Sequence, residues 1–291
     1  MLSFFGYNKL LFYNKVPKMK ILKTTQELIN YRKSLTCSIG FVPTMGALHQ
    51  GHISLIKESI QINDKTIVSI FINPTQFLEG EDFTTYPKRE QADLKICELA
   101  GVDVIFMPIK EEIYFENENS ILAPTKQSYI LEGYQRPKHF DGVLQVVLKL
   151  LNLTKPTNVY FGKKDAQQLF LIQNMVKTLF IDTTIVPCEI VRDENGLALS
   201  SRNAYLDEEE KIKALNISKS LKRASKEIMR GELHVEKIKE KMKEILQELD
   251  VKYIEITNRK FDKINKIDLK NSIILVAAKV GKTRLIDNIW I

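Results

Sequence analysis

The chain has 291 residues, 44% of them hydrophobic and 27% charged, an ordinary globular composition with room for a large core that needs neither disulfides nor structural metal. Its formal net charge of +7 comes from lysines spread along the chain and interleaved with acids, as in KIKEKMKEILQELD; this reads as solvated helix faces, not a basic arm, and argues against nucleic-acid binding. Cys37, Cys97 and Cys188 are far apart and not in CxxC spacing, which argues against a disulfide framework or a zinc site and for a reducing, cytoplasmic setting.

No apolar run reaches the roughly 18 residues that cross a bilayer, so no membrane span is expected. Residues 1–18 are aromatic and basic with no acid. They lack the apolar stretch and cleavage site of a secretory signal and read as a disordered or mis-started extension. Regular patterning begins at Met19. TTQELINYRKSL (24–35) has helical spacing, with Thr24 or Thr25 as its cap. SIGFVPT (38–44) is a short apolar run, a buried-strand signal. A helix follows over 53–62, a second buried strand over 66–73, a helix over 88–101 closed by Gly101, and a third strand over 102–108 stopped by Pro108. The pattern resumes with a helix over 142–155, a strand over 158–162, a helix over 165–179 and a strand over 183–191. Alternating strands and helices with apolar strands predict a doubly wound α/β fold on a parallel sheet. Beyond Asn203 the texture changes. Residues 206–250 are two charge-rich helices broken at Gly231, and strands are expected over 251–258, 272–281 and 283–291. The predicted organisation is an extension over 1–18, an α/β domain over 19–203 and a smaller α+β domain over 204–291.

The strongest chemical signal lies where the strand over 38–44 runs into Met45-Gly46-Ala47-Leu48-His49-Gln50-Gly51-His52 and a helix opens. In open α/β sheets ligands bind at the carboxyl ends of strands. A helix N-terminus there offers free N–H groups and partial positive charge to a phosphate. Two imidazoles three residues apart add donors where charge develops in a transition state. The segment is neither a Walker loop nor a GxGxxG turn. The plainer reading is a capped helix with incidental histidines, but two of the chain's four histidines fall in this one HxGH.

Four further segments stand with it: VSIFINPTQF, LEGYQRPKHFDGV, FGKKDAQQLFLI and LALSSRNAYL. Together and in this order they closely resemble the pantothenate synthetase (pantoate–β-alanine ligase) family, within the HxGH nucleotidyltransferase superfamily. The resemblance runs from Met19 to Ile291, with TRLIDN extending it to the end. It implies a Rossmann-like domain with a smaller C-terminal domain closing over it, a homodimer, and ATP-dependent joining of pantoate to β-alanine with Mg2+, through a pantoyl-adenylate. By resemblance, residues Met45 to His52 bind ATP, and His49 and His52 meet the phosphates with His52 the catalytic histidine. Lys164 becomes the phosphate-binding lysine, which we also place among the catalytic residues. Asp165 becomes a nucleotide contact, with Gly162 and Lys163 beside it; the family usually has glutamate where Lys163 stands. Gln76 and Gln168 match pantoate-binding glutamines; for Gln76 the residue pattern alone leaves a turn residue equally open. Arg136 matches an arginine near the pantoate end, against a plain surface arginine, while His139 reads as structural. Leu199-Ser200-Ser201-Arg202 matches an ATP-binding loop on a mobile connection, and Val191 an adenine contact or simply a core strand position. No protein metal ligands are expected, since magnesium should arrive on the phosphates. Two rivals remain at this stage: an adenylyltransferase of the same fold acting on a phosphate, and a non-enzymatic nucleic-acid binder.

Overall fold

The structure is a computed structural model and describes residues 19–291; the expected extension over 1–18 lies outside the described residues. In chain order the elements are β1 (Lys20–Leu22), α1 (Thr25–Lys33), β2 (Ile39–Thr44), α2 (Gln50–Ile62), β3 (Lys65–Ile70), α3 (Glu90–Ala100), β4 (Val104–Phe106), the short helices α4 (Lys110–Ile113), α5 (Thr125–Ser128) and α6 (Leu131–Gln135), then α7 (His139–Thr154), β5 (Asn158–Gly162), α8 (Ala166–Thr178) and β6 (Thr184–Cys188). They continue with α9 (Glu208–Met229), α10 (Val235–Leu246), β7 (Asp250–Asn258), β8 (Ser272–Val280) and β9 (Thr283–Trp290).

The first six strands form one parallel sheet in the order β1-β4-β3-β2-β5-β6. Strand periodicity of two sends neighbouring residues to opposite faces. Phe41, Ile67, Phe106 and Val159 pack under α7 and α8 with Leu150, Leu151, Leu169 and Ile172. Val42, Val68, Ile105 and Tyr160 pack under α2 and α3 with Leu55, Ile56 and Cys97. Both faces are covered, which is why the strands read as continuous apolar runs. The expected doubly wound sheet is present. β2 is its switch point: the chain leaves β2 toward β3 on one side and returns to β5 on the other.

The remaining strands form the antiparallel sheet β7-β8-β9. α9 and α10 bury Ile217, Leu221, Ile238 and Met242 against Ile256, Ile274 and Val276 of that sheet. Thr24 and Asp207 each build a capping box with the glutamate three residues on, worth about 1 kcal/mol apiece. Gly101 closes α3 at φ 86°, and Gly231 separates α9 from α10 at φ 93°.

The seam between the sheets is part apolar, part ionic. Ala166 of α8 shares a buried cluster with Phe261, Ile273 and Leu275. Glu132 of α6 takes the Arg284 guanidinium and accepts the Tyr253 hydroxyl at 2.6 Å. Arg192 pairs bidentately with Asp287 at 2.6 and 2.9 Å. Burial, followed by the Glu132 carboxylate, pushes the Tyr253 phenol well above its ordinary range, so it stays a donor.

Three sequence expectations need adjustment. β1 precedes the strand read as first; at three residues, two of them exposed, it carries no apolar run and is held at the sheet edge by β4. α2 begins at Gln50 and α7 at His139, earlier than their apolar stretches, because their first turns carry no sustained hydrophobic period. β6 stops at Cys188, short of Val191, because the chain folds into a hairpin in which Arg192 bridges Ala198.

Candidate active site

The turn after β2 is built by backbone demands. Gly46 sits at φ 83° and Ala47 at φ 50°, the left-handed region that glycine enters freely and alanine only at a cost. Asp93 of α3, 2% exposed, holds this turn by accepting the N–H groups of Ala47 and Leu48, both at 2.8 Å. Burial raises the Asp93 carboxyl above its ordinary value against those two hydrogen bonds. Nothing in the residue pattern singles out Asp93, since one acid in a polar helix stretch looks like any other.

His49 then becomes the N-cap of α2. Its Nδ1 accepts the Gly51 N–H at 3.1 Å, and the His52 Nδ1 accepts the His49 N–H at 3.3 Å. A ring nitrogen that accepts carries no proton, so each neutral imidazole keeps its proton on Nε2. The rings lie 4.1 Å apart. A side chain at Gly51 would stand 2.9 Å from the His49 ring, so this glycine makes room for that imidazole. Burial first, then Lys164, lowers His49 to about 4; burial first, then His49, lowers His52 to about 3. Both rings are neutral donors at physiological pH.

His49, Gly51 and His52 line a cavity of about 260 Å³ with Met45, Gln76, Arg136, Gly162, Lys164, Asp165, Gln168, Val191, Leu199, Ser200, Ser201 and Arg202. Arg136, Lys164, Asp165, Gln168, Ser200 and Arg202 also line a larger cleft of about 1180 Å³ that reaches the antiparallel sheet. The structure thus brings together side chains from segments scattered over 45–202 at the carboxyl ends of β2 and β5, where the sheet switches direction. Gly46, Ala47, Leu48, Gln50 and Lys163 do not line the cavity. Gly46 to Leu48 shape the turn. Lys163 turns aside to pair with Glu189, its ammonium 5.8 Å from the Trp290 ring centre. Its expected nucleotide contact is therefore not part of this geometry, because a nearby carboxylate draws the charge away.

The other walls are held in different ways. Asn73, 1% exposed, donates to Oε1 of Gln76 at 3.1 Å, which leaves the Gln76 Nε2 directed at the Met45 sulfur at 3.0 Å. Asn288 donates to the carbonyls of Lys163 and Lys164 at 2.9 and 2.7 Å, tying the turn after β5 to β9. Ser201 donates to the Ala47 carbonyl at 3.2 Å, joining the Ser200–Arg202 segment to the turn after β2. Val191 is no core strand residue; its carbonyl accepts the Leu199 N–H at 3.0 Å inside the hairpin. His139 accepts from Arg136 at Nε2, 2.9 Å, and donates from Nδ1 to the Gln76 carbonyl at 2.6 Å. Burial, then Arg136, lowers His139 to about 4. Both of its ring nitrogens are engaged, which suits a structural part.

A family model described as pantoate-beta-alanine ligase matches residues 19–290. The chain belongs to the pantoate–β-alanine ligase family. It is 58% identical over 273 residues to the pantothenate synthetase of Campylobacter curvus, covering 94% of this chain and 100% of that one. Against the pantothenate synthetase of Helicobacter pylori it is 52% identical over 276 residues, with the same coverage. A crystal structure of pantothenate synthetase from Thermus thermophilus superposes with a TM-score of 0.89 at 35% identity, covering 94% of this chain and 99% of that one. That of pantoate-beta-alanine ligase from Francisella tularensis, complexed with beta-gamma ATP and beta-alanine, gives 0.78 at 41% identity over 94% and 97%. The two solved structures share the fold of this chain, and the family membership sets aside the adenylyltransferase and the non-enzymatic alternatives.

Proposed function

We propose that this chain condenses pantoate with β-alanine at the expense of ATP, giving pantothenate, AMP and pyrophosphate through a pantoyl-adenylate. The observation that carries the reading is the pair of neutral imidazoles at the switch point of the sheet, each with Nδ1 held by a backbone N–H and Nε2–H left to donate. In the first step the pantoate carboxylate attacks the α-phosphorus of ATP and pyrophosphate leaves. His49, His52 and the Lys164 ammonium stabilise the charge that gathers on the phosphoryl oxygens. No side-chain nucleophile is required. In the second step the β-alanine amine attacks the acyl carbon, AMP departs with the C–O electron pair, and the amine loses its proton. Gln76 and Gln168 orient pantoate with donors and acceptors, and Arg136 lies at the same end. Ser200, Ser201 and Arg202 contact the triphosphate, and Val191 faces the adenine. The enzyme's contribution is orientation and charge stabilisation.

Among the described residues no group of three or more His, Cys, Asp or Glu could hold a metal. A magnesium ion carried by the triphosphate needs only one or two carboxylates; Asp165, which lines both cavities, would hold it, and it would neutralise phosphate charge. Residues 204–291 act as a lid, with closure around the 192–207 connection keeping water from the adenylate. The active form is a cytoplasmic homodimer. No described helix is long and apolar enough to cross a membrane, and burial pushes the Cys97 thiol up to about 12, which suits a packed core residue.

The test is incubation with Mg·ATP and pantoate, with and without β-alanine. AMP release that requires both substrates, with pantothenate seen by mass spectrometry, is the expected result. AMP formed with a different acid or amine, or none at all, overturns it. Sedimentation of the active protein at a single-chain mass would remove the homodimer.

A further inference from the structure

The loop between Gln76 and α3 carries two adjacent acids that the mechanism above does not use. Glu81 accepts from Nε and Nη2 of Arg136, both at 2.6 Å. Asp82 accepts from Nε and Nη2 of Arg202 at 2.9 and 2.8 Å. The side chains of the first pair are 25% and 15% exposed, those of the second 21% and 28%, so both pairs are shielded enough to be ordered. The loop side is itself braced. The Leu78 N–H donates to Glu81 at 3.1 Å, and the Tyr205 hydroxyl donates to the Thr85 carbonyl at 3.1 Å. The Arg202 guanidinium lies over the Tyr86 ring at 5.7 Å. A guanidinium bound along its Nε–Nη2 edge keeps one orientation; Arg202 then presents Nη1, while Arg136, whose Nη1 also donates to His139 at 2.9 Å, keeps the second Nη1 hydrogen. Both arginines reach the cavities while their acids hold them.

We propose that Glu81 and Asp82 are positioning residues: Asp82 presents Arg202 to the triphosphate, and Glu81 presents Arg136 to the acid substrate. The proposal rests on the assignment of Arg202 to ATP and Arg136 to pantoate. Its physical basis is that a free arginine side chain samples many rotamers, and a carboxylate already bound to it removes that entropy cost before the substrate arrives. The adjacency of the two acids means that one loop sets both ends of the site.

The experiment is steady-state kinetics of Asp82→Asn and Glu81→Gln in the full chain. Asp82→Asn is expected to raise KM for ATP about tenfold, the scale of one charge-assisted hydrogen bond, with KM for pantoate unmoved. Glu81→Gln is expected to do the converse. Asp82→Glu keeps the charge and should recover part of the loss. A loop that merely supports the fold would move both constants together in both variants, and that outcome overturns the proposal. So does a KM for ATP that stays level or falls in Asp82→Asn, since a fall means the acid withholds the arginine. Arg202→Ala separates the two assignments. An unchanged KM for ATP there removes Arg202 from the nucleotide site. A raised one beside a silent Asp82→Asn removes only the positioning role. In the double variant Asp82→Asn/Arg202→Ala, the loop substitution should add nothing to the loss from Arg202→Ala.

Discussion

The turn after β2 and the connection after β6 face one cavity but are held by different means. Main-chain groups fix the first: Asp93 takes two N–H groups of the turn, and each histidine is oriented by a backbone N–H. Side-chain ion pairs fix the second: Arg202 by Asp82, Arg192 by Asp287, and nearby Arg284 by Glu132. Hydrogen bonds to main-chain N–H groups fix the path of the turn itself, whereas ion pairs at the tips of long side chains fix the guanidinium groups and not the main chain that carries them. On the function proposed above, the first wall meets the developing charge and the second presents its arginines to the substrates.

The comparison can be broken at several points. His52→Ala should cut pyrophosphate release by about 10²–10³-fold, the usual loss for one preorganised donor at a developing charge, with an unaltered circular dichroism spectrum. Normal release by the folded variant would take the histidine pair out of the chemistry. Glu132→Ala leaves the Arg284 charge without its partner and should cost about 3 kcal/mol, seen in denaturant as earlier loss of the antiparallel unit. A loss spread evenly over both sheets would mean that the seam does not divide them. Asp93→Ala strands two N–H groups and should cost about 2 kcal/mol while raising KM for ATP. A stability loss with unchanged KM would show that the turn keeps its shape without the carboxylate.

The pH dependence sharpens the same contrast. His49, His52 and His139 are lowered from 6.5 to about 4, 3 and 4. Below pH 6.5 the unfolded chain binds protons that the native rings refuse. The stability from these sites is therefore full above 6.5 and is lost as pH falls toward about 4 for His49 and His139 and about 3 for His52. Thermal melts across that window should show the decline, and an NMR titration should find no inflection of these rings near 6.5. An inflection there would mean the rings are hydrated, not buried. The smallest effect belongs to Lys163→Glu: it sets two acids side by side on the surface, costs about 0.5 kcal/mol, and leaves KM for ATP within about twofold. A larger shift in KM would return Lys163 to the nucleotide site.

Much of the molecule was legible in its residues. The strand–helix alternation pointed to the parallel sheet because strands buried on both faces must be apolar throughout. Gly101 and Gly231 marked helix ends because they adopt positive φ. HxGH stood out by its local pattern and GKKD and SSR by their resemblance to the family, and the structure brings residues of all three segments to one cavity. The first turns of α2 and α7 were not legible, nor was β1, because none carries a sustained hydrophobic period.

What the sequence by itself determined is the fold class, the family and the list of chemical groups. These follow from periodicity and from motifs that are contiguous along the chain. What only the tertiary structure decided is how those groups are held. Asp93 lies far from the turn it supports, Glu81 and Asp82 far from their arginines, and Asn288 far from the turn after β5. Such partners meet through packing, and a single acid or amide in a polar stretch looks the same whether it faces water or closes a site. The proton on His49 and His52 was settled the same way, by which backbone N–H came to rest against Nδ1.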